Sequence, residues 1–88
     1  MIRKNNKLRY IINNYGEINQ LKQLHEELRE LVDEVELVCR KEKDIGNDDF
    51  LGEVADVLVM CEQFRLKYKK VDSIMDFKIN RQITRING

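Results

Sequence analysis

The sequence contains no proline and no tryptophan, and only four of its 88 residues are glycine. Residues that interrupt helices are therefore scarce, whereas Leu, Glu, Lys and Arg, which favour helices, are common. Aromatic residues make up 7% of the chain, and the formal net charge is zero. This composition predicts an all-α fold in a single domain, residues 1–88. The neutral balance gives no overall attraction to nucleic acid or to a membrane surface.

Cysteine and histidine are also scarce. Cys39 and Cys61 have no second Cys or His at ligand spacing, and His25 is the only histidine. A disulfide framework is therefore not expected, and a reduced, cytoplasmic protein is. No apolar run reaches the roughly 18 residues that span a bilayer, so we expect no membrane partner. The first residues also lack the apolar region of a signal peptide.

What the sequence does have is an uneven distribution of charge. Residues 1–16 carry +4, residues 17–62 carry −9, and residues 63–88 carry +5. The basic ends favour nucleic-acid binding only weakly, because they contain no recognisable helix-turn-helix pattern. We therefore do not expect a nucleic-acid partner, and the acidic centre is the feature that needs an explanation.

Four helices are predicted from the spacing of the apolar residues. The expected ranges are 3–14, 17 to about 42, about 49–69 and about 74–86. Gly16 is suited to end the first helix, and Asn47 or Asp48 to cap the third. Ser73 and Asp76 resemble a capping box at the start of the last. The second and third helices should form an antiparallel hairpin with a shorter helix on each side.

Apolar residues on these helices predict which faces are buried. The second helix has a stripe expected to face the core, formed by Leu21, Leu24, Leu28, Leu31, Val35 and Val38. The last helix is expected to pack through Ile74, Phe77, Ile83 and Ile86. So short a chain leaves apolar surface uncovered. We therefore predict that a homodimer or homotetramer completes a four-helix bundle.

Two carboxylates interrupt the most apolar segment, residues 50–61. Glu53 and Asp56 are three residues apart on neighbouring parts of one helix face, and no Lys or Arg occurs in this segment. Glu53 also shares its arc with Phe50, Val57 and other apolar residues. A buried carboxylate is costly without a compensating cation, which indicates a metal ion.

A second pair of acids lies on the preceding helix. Glu27 and Glu30 are again three residues apart, so four carboxylates can meet on two facing helices. Oxygen ligands at this density suit Mg²⁺, with Mn²⁺ as a substitute, rather than Zn²⁺. For the two pairs to lie level, the hairpin must be staggered by about 5–10 Å at 1.5 Å per residue. The alternative interpretation of acids on a surface helix is a solvated face.

The motif Glu27-x-x-Glu30 followed by Glu53-x-x-Asp56 resembles the ExxE…ExxD signature of the MazG-like, all-α nucleoside triphosphate pyrophosphohydrolases. The resemblance covers roughly residues 15–86 and includes Gly52–Leu58 and the segment containing Lys78 and Arg81. It implies hydrolysis of a nucleoside triphosphate to the monophosphate and pyrophosphate. It also implies that the four acids hold Mg²⁺ and that a partner subunit completes the pocket. Glu27 or Glu30 would then be the catalytic base.

Lys78 and Arg81 are three residues apart on the last helix and form part of a basic edge. They are candidates for contacts with substrate phosphates, and the alternative is a solvated face. The competing function for the whole chain is a non-catalytic, dimerising helical module, which needs only the apolar faces. The sequence leaves open the nucleobase, the sugar and the number of metal ions.

Overall fold

The computed structural model describes residues 3–88 and contains four α-helices, with no strand among those residues. They are α1 (Lys4–Tyr15), α2 (Glu17–Cys39), α3 (Asp48–Lys67) and α4 (Lys70–Asn87). The all-α prediction is confirmed, and α1, α2 and α3 begin and end within about three residues of the expected positions. Met1 and Ile2 of the predicted domain lie outside the described residues. In the part described, no helix combines the length and the apolar character needed to cross a membrane.

Local signals explain two of the helix boundaries. Gly16 has φ of 87°, in the left-handed region that favours glycine, and its N–H donates to the carbonyl of Ile12 at 2.8 Å. One residue thus ends α1 and allows α2 to begin in a new direction. Asn47 caps α3, because its Oδ1 accepts a hydrogen bond from the N–H of Phe50 at 3.0 Å.

The boundary between α3 and α4 differs from the prediction. α3 ends at Lys67, with Tyr68 as its C-cap, and α4 begins at Lys70 rather than near residue 74. Ser73 is not a cap, because its hydroxyl donates back to the carbonyl of Lys70 at 3.0 Å inside the helix. Asp72 provides the physical reason, since an acid in the first turn is favourable. Arg65 also holds it there with an Nε–Oδ1 distance of 2.6 Å.

α2 and α3 lie side by side and run in opposite directions. Glu17, at the start of α2, accepts a hydrogen bond from the hydroxyl of Tyr68 at 2.6 Å and pairs with Lys67 at 2.8 Å. Near the other end, Lys43 joins Glu34 to Asp49, at 3.0 and 2.9 Å. These contacts at both ends fix which residues of the two helices lie level.

The buried core is small and lies where α1 crosses the other two helices. It contains the apolar residues Leu8, Ile12 and Met60, together with Gln20 and Gln63. The radius of gyration is 15.7 Å, compared with about 12 Å for a compact domain of this length. The four helices therefore form an open arrangement with few fully buried side chains.

The structure corrects the predicted packing of α2 and α4. Leu24, Leu31 and Val38 are half-buried, but the other half of the predicted core stripe is exposed: Leu21, Leu28 and Val35. Among the helices of residues 3–88, α4 contacts only α3 and buries none of its residues, so the predicted packing through Ile74, Phe77, Ile83 and Ile86 does not occur within that part of the chain. The reason is that one chain supplies too few helices to cover both faces.

Candidate metal centre

Glu53 is held on the face of α3 that turns toward α2. The apolar residues that share this arc are Phe50, Val57 and Phe64, which are half-buried, and Met60, which is buried. Because a helix repeats about every 3.6 residues, burying these side chains also turns Glu53 inward. Glu53 is itself half-buried, as its position in the sequence predicted.

Three carboxylates meet at this point. Glu27 and Glu30 of α2 and Glu53 of α3 each offer one oxygen, and these three atoms lie within 4.8 Å of one another. Glu27 is half-buried and Glu30 is exposed. Spacing by three residues places the two α2 acids on adjacent turns, and the antiparallel helix pair brings Glu53 level with them. We call Glu27, Glu30 and Glu53 the acid group.

No cation of the described chain neutralises the acid group. None of the ion pairs among residues 3–88 includes Glu27, Glu30 or Glu53. One oxygen of Glu27 accepts a hydrogen bond from the side chain of Gln23 at 2.8 Å. The other, Oε2, is buried without a hydrogen-bond partner, and so is Oε2 of Glu53. Buried acceptors without partners are energetically costly, so the group needs a bound cation or proton.

Glu53 responds to this environment by holding its proton more tightly. Burial is the largest cause of the raised pKa of its carboxyl group, followed by the charge of Glu30 and a hydrogen bond with Glu30. The charges of Asp56 and Glu27 raise the pKa of Glu53 further. Repulsion among neighbouring carboxylates therefore adds to desolvation, and a metal ion would reverse both effects.

Asp56 is the one predicted ligand that lies outside the acid group. Its side chain is exposed, and it does not belong to the set of oxygens within 4.8 Å. It is close enough for its charge to raise the pKa of Glu53. The structure thus gathers three of the four predicted acids and leaves the fourth on the neighbouring turn of α3.

Lys78 and Arg81 are exposed on α4, and neither forms an ion pair or a side-chain hydrogen bond within residues 3–88. α4 does not contact α2, which carries two members of the acid group. Within one chain, the predicted phosphate contacts are therefore not assembled beside the acids.

Gln23 is a site residue that the sequence analysis missed. It lies four residues before Glu27, and its amide nitrogen fixes one Glu27 oxygen, leaving the buried Oε2 for another partner. The i, i+4 spacing of Gln and Glu on a helix is a recognisable signal for such a hydrogen bond.

The oxygen atoms of the acid group fit a small divalent cation. Mg²⁺ takes oxygen ligands at 2.0–2.1 Å in octahedral geometry, so opposite ligands lie about 4.2 Å apart. A set of oxygens within 4.8 Å needs only small side-chain movements to reach that geometry. The absence of His or Cys from the set disfavours Zn²⁺.

Comparison with protein-family models, with curated proteins and with solved structures found no match for this chain.

Proposed function

We propose that this protein is a Mg²⁺-dependent nucleotide pyrophosphohydrolase that cleaves a nucleoside triphosphate to the monophosphate and pyrophosphate. The observation that carries the proposal is the acid group, whose three carboxylate oxygens converge within 4.8 Å and have no cationic partner among residues 3–88. The buried, unpartnered oxygens of Glu27 and Glu53 indicate a ligand that accepts their lone pairs. Mn²⁺ would be a substitute for Mg²⁺.

The choice of substrate rests on the resemblance of the four acids to the ExxE…ExxD signature of the MazG-like enzymes. It is consistent with the chemistry of the site, because a triphosphate brings its own negative charge and requires divalent cations in an acidic setting. When bound, Mg²⁺ neutralises phosphate charge and lowers the pKa of a nucleophilic water. Glu27, Glu30 and Glu53 would hold the ion, with Asp56 completing the set.

The chain's own residues then have distinct tasks. Glu27 or Glu30 accepts the proton of the water that attacks the α-phosphorus in line with the pyrophosphate leaving group. Gln23 orients Glu27 through its 2.8 Å hydrogen bond. Lys78 and Arg81 have no ion-pair partner within residues 3–88, so they are available to phosphate oxygens.

The second candidate is a non-catalytic helical module that functions by binding another helical surface. The observation that favours it is the large amount of uncovered apolar side chain, including Phe77 at 67% and Ile86 at 82% exposure. Exposed apolar patches of this extent are typical of interaction surfaces. The module requires neither Mg²⁺ nor an intact acid group.

Pyrophosphate release from a panel of ribo- and deoxynucleoside triphosphates separates the two functions. We expect activity only with Mg²⁺ or Mn²⁺, and a loss of at least about a hundredfold in Glu53→Gln. This substitution removes the charge but keeps the side chain's size. The matched control is Glu26→Gln, because Glu26 is exposed on α2 next to Glu27 and, among residues 3–88, pairs only with Arg29 at 3.6 Å.

Glu26→Gln should retain wild-type activity within about twofold, since an exposed ion pair contributes little. No hydrolysis of any nucleotide, or full activity in Glu53→Gln, would refute the enzymatic proposal. The assay also identifies the base and sugar.

A further inference from the structure

A second apolar pattern lies along α2, on a face that the chain does not use for its own packing. Its members recur at alternating spacings of three and four residues, as in the a and d positions of a coiled coil. We call these residues the α2 seam: Ile18, Leu21, His25, Leu28, Val32, Val35 and Cys39. A sustained seven-residue repeat is typical of a helix that pairs lengthwise with another helix.

Every residue of the α2 seam is exposed. Ile18 is 65% exposed and Val32 is 54% exposed, although both are β-branched residues at a positions, where paired helices favour them. The residues that face α3 form a separate stripe, which includes Leu24 and Leu31 and lies about 100° further round α2. The α2 seam is therefore a distinct surface, with no partner helix among residues 3–88.

The surface area of the chain is consistent with a partner of substantial size. The accessible surface is 7236 Å², whereas a folded monomer of this mass exposes about 5,400 Å². The excess is larger than the roughly 800 Å² that each partner buries in a standard protein interface. A second copy of the chain carries the same seam and can cover it by two-fold symmetry.

We propose that α2 pairs with α2 of a second copy, in antiparallel orientation, through the α2 seam. Charges beside the seam favour that orientation. Lys22 and Arg29 flank it in the first half, and Glu36 flanks it on the same side in the second half. An antiparallel pair places Lys22 of each copy near Glu36 of the other, whereas a parallel pair places each of them level with its own counterpart. Arg29 lies near Arg29 of the other copy in both orientations, so the Lys22 and Glu36 charges are the ones that distinguish them.

The same alignment fixes the register along the seam. With Leu28 packed beside Val32 of the second copy, Leu21 lies opposite its Cys39, and Lys22 lies within two residues, about 3 Å along the helix, of the height of its Glu36. Glu27 and Glu30 are on other faces of α2. The pairing therefore leaves the acid group open, and it depends on neither Mg²⁺ nor the proposed activity.

Sedimentation equilibrium of the full chain with and without EDTA tests the surface. We expect a wild-type dimer in both conditions and a dissociation constant about a hundredfold higher in Leu28→Lys. Leu28 is 42% exposed in the single chain, so a lysine there has room to reach water, and circular dichroism checks the helix content. The matched control is Phe77→Lys on α4, which is 67% exposed and should leave the dimer unchanged.

A monomeric wild type would overturn the proposal. So would a change of less than about tenfold in Leu28→Lys, or dissociation caused by Phe77→Lys. A wild-type protein that forms the dimer but hydrolyses no nucleotide would refute the proposed function and leave the α2 pairing intact, so the two failures are distinguishable.

Disulfide cross-linking tests the orientation by using the native Cys39. In a Cys61→Ser background, Leu21→Cys should form disulfide-linked dimers under mild oxidation, because facing seam positions lie within the Cα separation of a disulfide. Cys61→Ser alone and Cys61→Ser with Asn19→Cys should stay unlinked. Asn19 lies two residues before Leu21, at a similar height along α2 but on another face of the helix. Cross-linking of the background through two Cys39 residues would show a parallel pair, and no cross-link in Leu21→Cys would exclude the register. Either result overturns the proposal.

Discussion

Glu53 is the residue whose environment most constrains the account. Its carboxyl group is half-buried among apolar neighbours and faces Glu30 and Glu27. Both features were predictable from the sequence. The apolar arc around Glu53 predicts its burial, and the absence of Lys and Arg from residues 50–61 predicts that no cation of this segment neutralises it. Asp56 was grouped with it by its spacing and by the resemblance to the ExxE…ExxD signature. Three residues on a helix are about 60° short of a full turn, which is enough to leave Asp56 exposed.

Without metal, the raised pKa of Glu53 makes stability depend on pH. Its pKa in the folded chain is above the ordinary value of 4.5, so the folded state binds the proton more tightly than the unfolded state. This contribution to stability is present below pH 4.5 and is lost as the pH rises through the folded-state pKa. In EDTA, the melting temperature of Glu53→Gln should therefore exceed that of the wild type increasingly as the pH rises from 4 to 8.

Glu26→Gln is the control for that titration, because Glu26 is exposed and removing its charge should shift the melting temperature little at any pH in this range. A difference in melting temperature between Glu53→Gln and the wild type that stays constant from pH 4 to 8 would contradict the assigned burial and repulsion at Glu53.

Asp56→Asn tests whether the fourth acid joins the site. Because Asp56 lies outside the acid group but close enough to influence Glu53, we expect Mg²⁺ affinity to fall about tenfold, less than in Glu53→Gln. Isothermal titration measures both variants. An affinity loss in Asp56→Asn equal to that in Glu53→Gln would show that both are direct ligands of similar weight.

At the scale of helices, the ends are predictable where one residue type performs a specific task. Gly16 supplies a left-handed backbone, and Asn47 supplies a capping oxygen. The predicted start of α4 was wrong because serine is a common N-cap residue, whereas the Ser73 hydroxyl donates to the carbonyl of Lys70 inside the helix. The prediction of the buried face of α2 was also only half right. Two apolar stripes lie side by side on this helix, and the sequence does not distinguish a stripe that faces the core from one that is left exposed.

Asn47 should contribute measurably to the stability of α3. Its Oδ1 accepts from Phe50, and its amide donates to the carbonyl of Asp44 at 2.6 Å. We expect Asn47→Ala to lower the free energy of unfolding by about 1 kcal/mol, measured by urea denaturation. Asn14→Ala, an exposed change on α1, should cost less than about 0.5 kcal/mol. Equal losses in the two variants would contradict the capping role.

His25 is the polar residue of the α2 seam, at an a position where apolar residues pair best. His25→Leu should tighten the proposed dimer about tenfold, because an apolar side chain replaces an imidazole that must be desolvated on pairing. Sedimentation equilibrium gives the dissociation constants. Weaker association in His25→Leu would place His25 in a polar contact and contradict its assignment to an apolar seam.

At the scale of the whole molecule, the acid group and the exposed apolar surfaces lie in different places. The acid group lies between α2 and α3, while α4 and the α2 seam are exposed. The all-α class was predictable because composition and period agree. The exposure of the apolar residues of α4 was not predictable, because an amphipathic helix has the same sequence pattern whether its partner is in the same chain or in another.

Mn²⁺ binding followed by electron paramagnetic resonance tests most directly whether the acid group holds a divalent cation. We expect Mn²⁺ to bind to the wild type, with competition by Mg²⁺, and to bind equally to Glu26→Gln. Affinity should fall at least about tenfold in Glu53→Gln and also at acid pH, where Glu53 holds its proton. Equal Mn²⁺ binding by the wild type and Glu53→Gln, or no binding at all, would contradict the account.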